Sequence, residues 1–116
     1  VERDELVAYC LAKPDAEETY PWGEAELVAK VGGKAFAFIG LDGGTVGLKC
    51  GRDAEEAAEW RERYPGAIET SRYIGRYGWN SVDWTGKVPE DDLRELIDSS
   101  YEAIVAALPK SKRPTG

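Results

Sequence analysis

The chain has no histidine and no methionine among its 116 residues, and only two cysteines and two phenylalanines. Without histidine there is no Ser-His-Asp or Cys-His catalysis, and no zinc site that uses an imidazole. Cys10 and Cys50 are too few for a four-thiolate zinc site. They are also too few and too far apart for a disulfide framework. Both fall at apolar-patterned positions, one in a helix and one at a strand end, and read as buried thiols. The cytoplasm is the expected compartment. No apolar run approaches the roughly 18 residues needed to span a bilayer, so no membrane partner is expected. The opening Val1-Glu2-Arg3-Asp4 is polar and acidic and does not read as a secretory leader. Nor is there a phosphate loop. Gly33-Lys34 runs into Ala35 and Gly86-Lys87 into Val88, where a Ser or Thr would be needed. Gly43-Gly44-Thr45-Val46-Gly47 reads as a hairpin turn. No cofactor is implied, and no carboxylate pair stands in a recognisable acid–base arrangement, so a non-enzymatic protein is expected.

What is present describes one globular domain. Apolar residues make up 42% and charged residues 32%, an ordinary folded composition. Asp4 to Lys13 reads as a helix with Leu6, Val7, Cys10 and Leu11 on one stripe, ended by Pro14. Asp15 to Gly23 reads as a connector, whose Trp22 is expected to plug the edge of the core. Ala25–Val31, Lys34–Leu41 and Thr45–Cys50 read as strands joined at Gly32-Gly33 and Asp42-Gly43-Gly44. Asp53 is placed to cap a second helix that runs to Tyr64, with Ala57 and Trp60 on its inner face, before Pro65-Gly66. Trp79 to Trp84 reads as a strand with Asn80, Val82 and Trp84 on one side, and Arg72–Tyr77 is its candidate hairpin partner. Pro89 to Leu108 carries the longest helical pattern. Leu93, Leu96, Ile97, Ser100, Tyr101, Ile104, Val105 and Leu108 lie on one face, with Glu90, Asp91 and Asp92 in the first turn. The expectation is an α+β domain over residues 1–109, its antiparallel sheet packed on one face by the N- and C-terminal helices. A polar, basic, fraying tail over 110–116 follows.

The net charge of −7 is unevenly placed. Residues 1–26 carry eight acids against two bases, whereas residues 27–52 carry four bases against one acid. If Val31 pairs with Lys34 and Leu41 with Thr45, then Leu27, Ala29, Phe36, Phe38, Leu48 and Cys50 share the core face. On that register Lys30 and Lys49 flank a shallow floor of Ala35, Ala37 and Gly47 on the other face. Such a face would take anions. Lysines on strands also serve simply to keep a sheet soluble. Arg72 and Arg76 among Tyr73, Tyr77 and Trp79 form a second basic and aromatic cluster, of the kind that contacts phosphates and stacks bases. It is equally the pattern of arginine stems packed on a core edge. An acidic balance, with a pI near 4.7, opposes tight DNA binding.

The order of the pieces resembles the MmcQ/YjbR family of small bacterial proteins over nearly the whole chain. The resemblance is carried by Tyr9-Cys10-Leu11, by Glu17-Glu18-Thr19-Tyr20-Pro21-Trp22-Gly23, and by Lys30-Val31-Gly32-Gly33-Lys34-Ala35-Phe36-Ala37. It continues in Leu48-Lys49-Cys50, Tyr64-Pro65-Gly66, Tyr73-Ile74-Gly75-Arg76-Tyr77-Gly78-Trp79-Asn80 and Leu96-Ile97-Asp98-Ser99-Ser100-Tyr101. It implies an antiparallel sheet packed against helices, similar to bacterial frataxin homologues, in a double-wing-like arrangement to which a DNA-binding label is attached by structural analogy. No catalytic residue comes with it. Many relatives have a histidine-containing segment where this chain has Gly75-Arg76-Tyr77-Gly78-Trp79-Asn80, so a role needing those histidines is absent.

The reading reached is a binding module for nucleic acid, in which Lys30, Lys49, Arg72 and Arg76 contact phosphates and Tyr73 or Trp79 stacks. The alternative on the same face is a small anionic ligand or a protein partner. A third reading, loose metal binding by Glu2, Asp4 and Glu5, follows only from the likeness to frataxin.

Overall fold

A computed structural model describes residues 2–51, 53–71 and 77–114. The chain opens with helix α1 (Arg3–Leu11), capped by Glu2 and Glu5 in a reciprocal capping box. Its inward stripe is Leu6 and Cys10, with Val7 and Leu11 half-buried at the margin. Four strands follow: β1 (Glu17–Thr19), β2 (Glu26–Val31), β3 (Lys34–Gly40) and β4 (Thr45–Lys49). Then come α2 (Ala54–Arg63), β5 (Ile68–Thr70), β6 (Trp79–Asp83) and α3 (Glu90–Ala107). The six strands form one antiparallel sheet in the order β1-β2-β3-β4-β6-β5.

The local chemistry explains these elements. Gly32 and Gly33 both have positive φ, 58° and 86°, the conformation a two-residue hairpin demands and which side chains with a Cβ resist. The Asp53 carboxylate accepts the backbone N–H groups of Glu55 and Glu56, each at 3.1 Å, and so starts α2. In α3, Leu93, Leu96, Ile97, Ser100 and Ile104 are buried, and three acids in the first turn face the positive end of the dipole. Pro89 is the N-cap of this helix, one place before the first helical position expected for it. The core lies between the inner face of the sheet and the helices: α3 crosses β2, β3 and β4, while α2 covers β5 and β6.

Three expectations are corrected. The connector contains β1, whose Glu17, Glu18 and Thr19 pair with Lys30, Ala29 and Val28 of β2. The described partners of β6 are β4 and β5. The expected partner segment falls mainly on residues 72–76, which lie outside the described residues. The third concerns register. Val31 does pair with Lys34 and Lys30 with Ala35, but Ala29 pairs with Ala37, so β3 carries one extra residue, a β-bulge at Phe36. Beyond the bulge every side chain changes face. Ala37 and Ile39 are fully buried in the core, and Phe38 turns to the outer face. Leu41 does not pair with Thr45, because the β3–β4 ladder joins Ala37 to Leu48 and Ile39 to Val46.

The tail also departs from expectation. Lys110–Lys112 form a short 3-10 turn, and Arg113 reaches back to the C-terminal carbonyls of α3, donating to Leu108 at 2.9 Å and Ala106 at 3.0 Å. A Cβ placed on Gly32 would sit 2.6 Å from Leu108 and 2.9 Å from the Lys112 carbonyl, so the tail lies against the β2–β3 turn. Among the described residues, no helix is long and apolar enough to cross a membrane.

Candidate binding face

The helices cover one side of the sheet, and the strand registers set out its other side in three rows. At the turn end stand Glu17, Lys30, Lys49 and Trp79. The middle row runs straight across from Thr19 through Val28, Phe38, Gly47 and Ser81 to Glu69. At the far end lie Glu26, Gly40, Thr45 and Asp83. Alternation along each strand places these side chains together. The outer face therefore passes from basic, through aromatic, to acidic.

Lys30 and Lys49 share this face, as expected, with β3 between their strands, so their backbones are about 9–10 Å apart. Ala37 is not in the floor between them, because the bulge sends it into the core. Glu17 stands directly across from Lys30 without forming an ion pair. Trp79 lies beside Lys49 but is only 8% exposed, its ring set edge-on to Phe38 with centroids 5.3 Å apart. Its burial leaves little face free to stack a base. Arg72, Tyr73 and Arg76 lie outside the described residues. Trp22 is 68% exposed and stacked on Phe38 at 6.1 Å and 24°. Trp22 is thus not the plug for the core edge that its turn suggests. It lies over the outer face, a role that becomes visible only once Phe38 is known to point outward.

Two features could not be seen along the sequence. The first is a cationic pole. Lys30, Lys34 and Lys49 lie where β2 ends, β3 begins and β4 ends, and the docked tail adds Lys110, Lys112 and Arg113 at the same turn. Among the described residues, Arg3, Lys13, Lys87 and Arg94 form ion pairs, and none of these six does. The second is a groove of about 750 Å³ across the middle and far rows, bordered by Trp22, Phe38, Glu26 and Glu69, with no Lys or Arg in its lining among the described residues.

Several titratable groups outside this face are built into the packing. Burial pushes the Cys10 thiol up to about 12 and the Cys50 thiol up to about 11, which makes both inert as nucleophiles. Asp98 of α3 accepts both Tyr9 Oη, at 2.7 Å, and Lys13 Nζ, tying α1 to α3. Burial, the largest influence on Lys13, pushes its pKa down, but the hydrogen bond and charge of Asp98 prevail and the pKa is raised. No three Asp, Glu or Cys side chains among the described residues converge on a point that could hold a metal ion.

Comparison with known proteins agrees with this architecture. The family model described as YjbR matches residues 11–103. The chain is 31% identical over 113 residues to the uncharacterised protein YjbR of Escherichia coli K12, covering 94% of this chain and 92% of the relative. The corresponding protein of Escherichia coli O157:H7 gives the same figures. A crystal structure of a Deinococcus radiodurans protein with a DUF419 domain superposes with a TM-score of 0.83 at 28% identity, covering 94% of this chain and 83% of that one. A Pseudomonas syringae protein shares the fold, with a TM-score of 0.70 at 19% identity over 88% of this chain and 97% of its own.

Proposed function

We propose that this chain, which belongs to the YjbR family, is a non-enzymatic binding module that contacts nucleic-acid phosphates through the cationic pole at its β2–β3 turn. The observation that carries the reading is the set of six cations, without carboxylate partners among the described residues, gathered at one end of a chain whose net charge is −7. Phosphate contacts supply most non-specific affinity for nucleic acid, and their strength follows the local field rather than the overall balance. Lys30 and Lys49 mark the edge of the pole on the outer face, and Lys34, Lys110 and Lys112 extend it around the turn. The acids of α1 and of the first turn of α3 oppose binding, so affinity is low and falls steeply with salt.

The test is fluorescence anisotropy with labelled single- and double-stranded DNA across a salt series. Lys30→Glu/Lys49→Glu and Lys34→Glu/Lys112→Glu are each expected to weaken binding. Each should also reduce the slope of log affinity against log salt by about two, one for each phosphate no longer neutralised. Absence of binding at low salt, or binding indifferent to both double variants, would remove nucleic acid from the reading of this pole.

A further inference from the structure

The groove at the other end of the outer face has chemistry opposite to that of the pole. Its floor is Phe38 and Gly47, its roof on one side is the exposed indole of Trp22, and a carboxylate stands at each end: Glu26 on β2 and Glu69 on β5. The strand order puts four inter-strand spacings between β2 and β5, and the registers offset Glu69 from Glu26 by two residues along the strands. Their backbones are thus separated by about 20 Å. Between them the groove presents the side chains of Thr45 and Ser81. Neither carboxylate has an ion-pair partner among the described residues.

We infer that this groove binds an extended, basic segment of a partner protein, laid across the strands with a cationic side chain at each carboxylate. Three observations select that occupant. The carboxylates at the two ends, and a lining that among the described residues holds no Lys or Arg, match positive charge and disfavour nucleic acid. The span of about 20 Å equals six residues of extended chain at roughly 3.3 Å each, so two arginines six positions apart reach both ends at once. The hydroxyls between supply hydrogen-bond partners that the amide groups of a peptide need and the methylene stem of a polyamine does not. Trp22 contributes an indole face that attracts a guanidinium and covers apolar side chains. The inference does not depend on the nucleic-acid reading, since it uses the opposite end of the face.

The experiment titrates the full chain with a fluorescein-labelled nine-residue peptide carrying arginines at positions 2 and 8, with Ser, Thr, Val and Gly elsewhere. A second peptide of the same composition has its arginines adjacent. Expected results are measurable binding of the first peptide, at least fivefold weaker binding of the second, and at least tenfold loss with Glu26→Gln/Glu69→Gln. Trp22→Ala should also weaken binding at least fivefold. These side chains lie on the outer face rather than in the core, so folding should survive, and far-UV circular dichroism checks it. Lys30→Glu/Lys49→Glu should leave the peptide affinity within twofold, which separates this groove from the pole. Equal affinity for the two peptides, insensitivity to Glu26→Gln/Glu69→Gln, no binding at millimolar concentration, or displacement by spermidine at a lower concentration than the unlabelled peptide would each overturn the inference. The last of these would assign the groove to a small polyamine.

Discussion

The hydroxyl of Ser100 stands within the β3–β4 ladder opposite Phe36, donating to the Phe36 carbonyl at 2.6 Å and accepting the backbone N–H of Lys49 at 3.0 Å. Continued one step, the β3–β4 register would set Phe36 opposite Lys49, where their backbones would bond directly. The bulge interrupts that pairing, and α3 supplies the missing partner through a side chain that is fully buried. The same contact fixes the end of β4 that carries Lys49, linking helix packing to the basic end of the outer face.

Ser100→Ala removes one hydroxyl and leaves a buried carbonyl and a buried amide without a partner. Each costs about 1–3 kcal/mol, so the variant should lose about 2–6 kcal/mol of stability. Urea unfolding measures the loss, and hydrogen exchange should show the Lys49 amide freed of protection. A loss below about 0.5 kcal/mol, a fraction of one unsatisfied group, would mean that the two strands close directly once the hydroxyl is gone.

Asn80 plays the matching role under α2. It is fully buried, its Nδ2 donates to the Ala57 carbonyl at 2.9 Å, and its Oδ1 accepts from Arg61 at 2.6 Å. Asn80→Ala should destabilise by about 2–4 kcal/mol, because a helix carbonyl and a guanidinium lose their partner together. Asn80→Asp keeps the acceptor for Arg61 but loses the donor to Ala57 and buries a charge. It should therefore rescue little at neutral pH. Thermal unfolding of the two variants side by side decides whether the donor to Ala57 matters as much as the acceptor for Arg61.

Stability should fall on the alkaline side. The thiols of Cys10 and Cys50 are raised to about 12 and about 11 by burial, whereas a thiol in an unfolded chain ionises near 8.5. The folded state therefore holds both protons after the unfolded state has released them. The contribution is complete below about pH 8.5 and declines as pH rises toward the folded values, by about 1.4 kcal/mol per pH unit for each thiol. Tyr9 and Tyr101, raised by burial, and Lys13, held up by Asp98, add to the decline above about pH 10. Urea midpoints between about pH 7.5 and 10.5 should drop for the native chain and drop less for Cys10→Ala/Cys50→Ala. A parallel decline in the two proteins would transfer the effect to the tyrosines and Lys13.

How much of this was legible along the chain depends on the range of the interactions involved. The period of Leu93, Leu96, Ile97 and Ser100 states α3 without reference to anything else, and Gly32-Gly33 states its hairpin. Strand β1 has three residues, two of them glutamates, and exists because β2 offers an edge, so no local pattern announces it. The bulge at Phe36 is a decision among β2, β3 and α3 together, and it alone exchanges the faces of Ala37, Phe38 and Ile39. Lys30 and Lys49 can be assigned to the outer face from alternation because they lie where the bulge does not reverse it. The cationic pole depends on a tail folding back onto Gly32, and the groove depends on Phe38 facing outward. Neither follows from spacing.

The aromatic row provides the last prediction. Gly47 lies directly opposite Phe38 in the ladder, and a Cβ added there would meet the Phe38 Cβ at 3.3 Å and its ring at 3.5 Å. The missing side chain lets the Phe38 ring lie over the neighbouring strand, where it touches Trp79 on one side and supports Trp22 on the other. Gly47→Val improves local strand propensity, worth at most about 1 kcal/mol. It also overfills the row, which costs about 1–3 kcal/mol. The net effect should be modest destabilisation, with a much larger change in the tryptophan environment: a red-shifted emission as Trp22 loses its support, and a weaker near-ultraviolet circular dichroism signal. Trp22→Phe separates the contributions, since most of the emission change should vanish in the double variant while the loss of stability remains. An unchanged spectrum in Gly47→Val would mean that Phe38 keeps its place without the glycine, and that the groove does not depend on it.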